Sequence, residues 1–187
     1  MNKNRLEYYK GNIYLCGFMA SGKSTLAKTL ATRMEREDCD LDEVIVEKEG
    51  KSIREIFDEN GEVYFREKER EYLLELTREF KGIVSLGGGA LHNQHIVDHL
   101  KVSGLLVFVD TSLEVISERV FNNSERPILF DKEGKIKTKE TLFTELKTLY
   151  LEREDLYKQA QIHIKTQLYN SVNEMADGLI AKISRHV

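Results

Sequence analysis

Residues 12–34, NIYLCGFMASGKSTLAKTLATRM, read as an apolar strand, a turn bounded by Gly17 and Gly22, and an amphipathic helix. The turn, GFMASGKS at 17–24, satisfies the pattern G-x-x-x-x-G-K-[ST] in the strand-to-helix setting that gives the pattern meaning. Glycine at its two ends lets successive backbone N–H groups turn inward onto phosphate oxygens, and the following helix adds its positive end. Lys23 supplies a compact charge for the β- and γ-phosphates, and the Ser24 hydroxyl suits Mg²⁺. The stretch therefore predicts a nucleoside triphosphate site.

Outward from this unit, short apolar runs alternate with helical patterns. Ile13–Cys16, a weak Asp38–Leu41, Ile83–Leu86, Leu105–Val109 and Ile162–Ile164 read as strands. Leu26, Ala27, Leu30, Ala31 and Met34 recur at helical spacing, as do Leu142, Phe143, Leu146, Leu149 and Tyr150. Such alternation predicts a parallel sheet covered on both faces. A last helix is expected from Asn170-Ser171, where Ser171 and Glu174 stand at capping-box spacing. Residues 121–140, with Pro127 and several lysines, show no periodicity and are expected to form a long functional loop.

The chain has 187 residues, sufficient for one well-cored domain, and a net charge of −4 gives no general attraction for nucleic acid. Cys16 and Cys39 fit neither a zinc nor a disulfide framework and are expected as reduced thiols. No run of about 18 apolar residues is present, so no membrane partner is expected, and a cytoplasmic monomer acting on small molecules is the reading.

Asp40 and Asp42 stand two apart where the second strand should end, so their carboxylates point to one side at the sheet edge that receives the phosphate loop. One can serve Mg²⁺ and the other a second substrate. Arg66, Glu69 and Arg70 share a helix face, for which a surface ion-pair ladder is the default. Gly87-Gly88-Gly89 after an apolar strand permits close backbone approach. Asp110, closing the run Leu105–Val109, is a competing metal carboxylate. His92, His95 and His99 lie at helical spacing and are expected on a solvated face.

Taken in order, the phosphate loop, Asp40-x-Asp42, Gly50-x-Ser52-Ile53, Glu55-Ile56-Phe57, Gly61-Glu62, Phe65-Arg66, Glu69, the glycine triplet, Arg126-Pro127 and Arg153 resemble the shikimate kinases. The resemblance runs from Ile13 to about Thr166. It implies a P-loop NTPase-like, three-layer α/β/α fold with a five-stranded parallel sheet in the order 2-3-1-4-5. It also implies transfer of the ATP γ-phosphoryl to the 3-hydroxyl of shikimate, on the route to chorismate and the aromatic amino acids.

Carried over residue by residue, it makes Gly17, Ala20, Ser21, Gly22, Lys23, Ser24, Thr25, Arg119, Arg126 and Gln167 the ATP site. Asp42, Arg66, Gly87, Gly88, Gly89 and Arg153 become the shikimate site. Asp42 prepares the attacking hydroxyl, while Arg66 and Arg153 clamp the carboxylate and Glu69 holds Arg66. Ser24 and Asp40 attend Mg²⁺, and Lys23 and Arg126 stabilise the moving phosphoryl group. Residues 40–70 form the acceptor segment and 121–140 a lid, within one domain whose core spans 12–187. Asp38 and Val46 depart from the family pattern, the first implying a weak or exposed second strand. A kinase for another polyhydroxy acid such as gluconate is the alternative within enzymes, and a non-catalytic nucleotide-binding module the alternative outside them. A GTPase switch is disfavoured because N-K-x-D does not occur.

Overall fold

A computed structural model describes residues 9–123, 127–131 and 133–187. In chain order these form β1 (Asn12–Cys16), α1 (Lys23–Met34), β2 (Glu37–Asp40), α2 (Leu41–Glu49), α3 (Ile53–Glu79), β3 (Gly82–Ser85), α4 (Gln94–Ser103), β4 (Gly104–Asp110), α5 (Leu113–Phe121), α6 (Lys139–Tyr157), β5 (Ile162–Lys165) and α7 (Val172–His186). Short 3₁₀ turns occupy Pro127–Leu129 and Thr166–Leu168.

The five strands pair in parallel in the order β2-β3-β1-β4-β5, the order implied by the family resemblance. β1 lies at the centre because every one of its residues is apolar or satisfied: Ile13 stands beside Ile83 on one side and Leu105 on the other. Alternation along the strand sends Ile13 and Leu15 toward α1 and α7, where Leu26, Leu30, Ala176, Leu179 and Ile183 are buried. Tyr14 and Cys16 face the opposite layer, with Ile45, Phe65, Leu100, Ile116 and Leu146. Because all strands run one way, their carboxyl ends gather Cys16, Asp40, Ser85 and Asp110 along one rim.

β2 is an edge strand, paired among the described residues with β3 alone, and its Glu37 and Asp38 are exposed. The strand starts one residue earlier than the apolar content predicts, and Leu41 instead opens α2 with its side chain buried. α3 is two helices meeting at Gly61, whose φ of 81° and ψ of 173° lie outside helical values and in a region glycine tolerates. Its start carries a full capping box between Ser52 and Glu55. At α7, Ser171 caps Glu174 N, but the Glu174 carboxylate reaches Asn170 N rather than Ser171.

The described part of residues 121–140 is more structured than a loop without periodicity. Phe121 ends α5, Leu129 is buried, and Phe130 bridges Ile136 in antiparallel fashion around an Asp131 carboxylate that accepts from Glu133 N and Lys135 N. Hydrogen bonds local to Asp131 substitute for hydrophobic periodicity there. The three histidines do not share one face: His92 precedes α4 and contacts the Ala90 carbonyl, His95 is exposed, and His99 pairs with Thr77 on α3. Among the described residues no His, Cys, Asp and Glu cluster could hold a metal ion, and no helix is long and apolar enough to cross a membrane. Cys16 is buried and Cys39 half-buried, both as free thiols; burial pushes them up to about 12 and about 11.

At the amino ends of the strands a buried amide joins β1 to β3 and, through Tyr14, to the end of α4. Asn12 Oδ1 accepts from Gly82 N at 2.9 Å, and Asn12 Nδ2 donates to the Tyr14 hydroxyl at 3.1 Å, which itself contacts Ser103. An apolar replacement strands the buried Gly82 N–H and takes the amide donor from the Tyr14 hydroxyl. Asn12→Leu is expected to lower unfolding stability by about 1–3 kcal/mol, read from the urea midpoint; an unchanged midpoint contradicts this account of the strand ends.

Candidate active site

The phosphate loop is held in shape by its own lysine. Lys23 Nζ donates to the Gly17 carbonyl at 3.0 Å and the Phe18 carbonyl at 2.8 Å, with the Ser21 hydroxyl at 3.4 Å. Gly17 has no alternative residue at this place: its φ is +143°, and a Cβ there would lie 2.7 Å from the Val109 carbonyl of β4. From just after β4 and from α5, Thr111 donates to the Ser21 carbonyl and Arg119 Nη1 to the Ala20 carbonyl at 2.9 Å. α1 begins at Lys23, so the amino end of the helix opens on the loop.

Asp40 connects this loop to the helix beside it. Its Oδ2 accepts from Ser24 at 2.6 Å, and its Oδ1 caps α2 by accepting from Asp42 N at 3.0 Å. Ser85, at the end of β3, stands 3.3 Å from Ser24. The cap places Asp42 in the first turn of α2, half-buried, where burial and the neighbouring Asp40 and Glu69 charges push its carboxyl up to about 6 against the pull of Lys23 and Arg66. A cleft of about 610 Å³ takes in residues 19–25, Asp40, Asp42, Gly87, Gly88 and Arg119.

The glycine triplet is where the remaining groups converge. A Cβ on Gly87 would lie 2.7 Å from Asp42 Oδ1 and 2.9 Å from Glu69 Oε1; one on Gly88 would meet Met19 N at 3.0 Å; one on Gly89 would strike the Arg66 guanidinium at 2.7 Å. Absence of side chains lets α2, α3 and the phosphate loop close on one backbone. Arg153 Nη1 donates to the Gly88 carbonyl at 3.1 Å, and Tyr157 donates to the same oxygen. Glu69, 1% exposed, accepts from Arg66 Nη1 at 2.6 Å; burial raises its carboxyl, with Arg66 and Arg153 pulling the other way. It is therefore no surface ladder, and Arg70, the third member of that trio, is exposed.

This geometry coincides with a family match: the sequence model described as shikimate kinase aligns with residues 19–184. The chain belongs to the shikimate kinase family. It is 36% identical over 174 residues to a shikimate kinase of Sulfurihydrogenibium sp. (strain YO3AOP1), covering 93% of this chain and 98% of that one. To the Aquifex aeolicus shikimate kinase it is 39% identical, covering 82% and 85%. Among solved structures, shikimate kinase from Acinetobacter baumannii in complex with shikimate superposes with a TM-score of 0.83 at 32% identity, covering 95% of this chain and 94% of that one. A gluconokinase from Sinorhizobium meliloti also superposes, at 16% identity and a TM-score of 0.53, which is a likeness of fold alone.

Against the shikimate kinase pattern, the cleft gathers Ala20, Ser21, Gly22, Lys23, Ser24, Thr25, Asp40, Asp42, Gly87, Gly88 and Arg119. Gly17 opens the loop and does not line the cleft, and Gln167 is exposed on the turn beside cleft residues Thr166 and Tyr169. Arg66 borders a neighbouring cavity with Arg70 and His92. Arg153 reaches Gly88 from α6. Asp110 ends β4 opposite Lys165 and does not line the cleft, whereas Asp40 contacts Ser24 directly. Arg126 lies outside the described residues. Ser85 and Tyr157 went unread: a serine ending a strand and a tyrosine at helical spacing carry no signal until the chain is folded.

A carboxyl raised from an ordinary 3.8 to about 6 favours the protonated folded protein. Its contribution to stability is thus fully present below pH ~4 and lost as pH rises through about 6. Asp42→Asn, neutral at every pH, should melt above wild type at pH 7 and level with it near pH 4. A melting difference that stays constant across that window contradicts the burial argument.

Proposed function

We propose that this chain transfers the γ-phosphoryl group of ATP to the 3-hydroxyl of shikimate, yielding ADP and shikimate 3-phosphate for chorismate synthesis. The observation that carries the reading is the continuous connection from the phosphate loop through Ser24 and Asp40 to Asp42, within reach of a glycine triplet that also meets Arg66 and Arg153. Nucleotide and acceptor groups then share one rim of the sheet. The Acinetobacter relative, a complex with shikimate, supports the choice of acceptor.

In this reading the loop N–H groups and Lys23 receive the β- and γ-phosphates, Lys23 exchanging its carbonyl partners for phosphate oxygens. Arg119 borders the nucleotide from α5, and Gln167 flanks the base from the turn before α7. The Arg66 and Arg153 guanidinium groups bind the shikimate carboxylate, which matches their forked donors, and Glu69 fixes the orientation of Arg66. Gly88, with Gly87 and Gly89, offers backbone to the acceptor ring. Asp42 accepts a hydrogen bond from the attacking hydroxyl and takes its proton as the oxygen bonds to phosphorus. That task requires the ionised form, so activity falls on acidification through about pH 6.

The Ser24 hydroxyl and the Asp40 carboxylate, adjacent at 2.6 Å, are hard oxygen donors of the kind Mg²⁺ selects. They would hold the ion directly or through water, where it supplies charge neutralisation to the phosphates. We assign residues 40–70 to acceptor binding, 121–140 to a lid that excludes water and brings Arg126 to the phosphoryl group, and the span 12–187 to a single domain.

Two variants test the assignment in a coupled ADP-release assay. Asp42→Asn keeps size and one acceptor oxygen but removes the base, so kcat with shikimate should drop about 10²–10⁴-fold while ADP still binds. Arg66→Lys keeps charge and loses the fork, so the KM for shikimate should rise with that for ATP unchanged. Undiminished turnover by Asp42→Asn at saturating substrate, or a wild-type protein that ignores shikimate and phosphorylates gluconate, overturns the reading.

A further inference from the structure

α2 carries Asp42 in its first turn, and the second half of α3 carries Arg66 and Glu69. The kink at Gly61 means that nothing in the helical backbone before it sets the direction of that second half. Near Gly87 the two helices bring the Asp42 and Glu69 carboxylates against the same stretch of backbone, a like-charge pairing. That end of the contact therefore resists closure, and the helices must be held together elsewhere.

The opposite end of α2 supplies the hold. Glu49, its last residue, accepts from the Tyr64 hydroxyl at 2.8 Å through Oε2 and from the Tyr72 hydroxyl at 2.5 Å through Oε1. Both phenols belong to the segment after the kink and bracket Arg66 and Glu69 in sequence. Lys68 lies over both rings, 5.9 Å from Tyr64 and 5.7 Å from Tyr72, while Lys48 lies 5.0 Å over Tyr72 and pairs with Glu75 at 2.6 Å. A carboxylate at a helix carboxyl end is opposed by the helix dipole. Here the two phenols and the overlying ammonium groups offset that opposition, and the hydrogen bonds hold the Glu49 carboxyl below its usual range.

We propose that Glu49 is a positioning residue for the acceptor site: by receiving both phenols it locks the helix that orients the hydroxyl to the helix segment that binds the carboxylate. Through it, Asp42 and Arg66 keep one separation, and that separation measures the distance between the reacting hydroxyl and the carboxylate of the acceptor. The inference rests on the kinase reading above, since it concerns how that acceptor is held. Glu49 itself touches no reacting group.

The test uses Tyr64→Phe/Tyr72→Phe, which removes both donors and keeps both rings under Lys68, alongside Glu49→Ala and the triple variant. Wild-type turnover of shikimate is measured first, because its failure overturns the kinase reading and leaves the clamp unaddressed by kinetics. Given an active wild type, the double phenylalanine variant should lose about tenfold in kcat/KM for shikimate, chiefly through KM. The KM for ATP and the affinity for ADP should stay within about twofold of wild type. Adding Glu49→Ala to that background should cost nothing further, because one interaction has already been removed. An unchanged shikimate KM overturns the proposal, whether or not the melting temperature falls. Parallel rises in both KM values also overturn it, since they mark general loosening rather than loss of acceptor spacing.

Discussion

The Asp40 carboxylate is the constraint from which the site is built. One oxygen receives the Ser24 hydroxyl of the phosphate loop, and the other caps the helix that presents Asp42. A single planar group of this size fixes the glycine-rich loop and the helix bearing Asp42 relative to one another through two hydrogen bonds. It can do so because β2 ends at the same rim as β1 and β3, a consequence of parallel pairing. Hydrogen bonds to a charged acceptor are stronger than neutral ones. Both donors here come from rigid element starts, so little freedom remains to be frozen when substrates arrive.

Around that junction, the glycine triplet acts through what it lacks. Three successive residues without Cβ atoms allow two carboxylates, a guanidinium and the phosphate loop to meet at one stretch of backbone. Burial, together with the neighbouring Asp40 and Glu69 charges, raises the Asp42 carboxyl to about 6. In the proposed role of base, Asp42 is therefore poised to take up a proton near neutral pH, and the cost is electrostatic strain inside the folded protein. Stability and chemistry are set against each other at one side chain.

How much of this was legible depends on how far apart the interacting residues lie in the chain. The strand, loop and helix around Lys23 are contiguous, so residue type and spacing sufficed to read them. The edge position of β2 showed in Asp38, a charge where a central strand needs an apolar residue. Sheet order came through resemblance, since periodicity reveals strands but not their neighbours. Spacing placed Arg66 and Glu69 on one face correctly, yet it could not tell that Gly87 and Gly89 cover that face and exclude water from Glu69. The Gly61 break was hidden because Ile56, Phe65, Tyr72 and Leu73 are all buried across it, sustaining an apolar pattern through the kink. Glu49 was silent for another reason: its partners stand 15 and 23 residues away. Hydrogen bonds in the Asp131 turn likewise leave no hydrophobic trace.

The break at Gly61 also bears on how the molecule opens. Helix formation propagates residue by residue through backbone hydrogen bonds, and a non-helical residue ends that propagation. Ser52 and Glu55 cap the first half independently. The two halves of α3 are thus separate runs of backbone hydrogen bonding, joined across the kink by the packing of Phe57 on Phe65. Backbone fraying that begins at Ile53 has no helical path past the glycine, so the turns bearing Arg66 rest on their own hydrogen bonds. A long helix bordering the candidate site thus carries a break in its backbone, a fuse set upstream of Arg66 and Glu69.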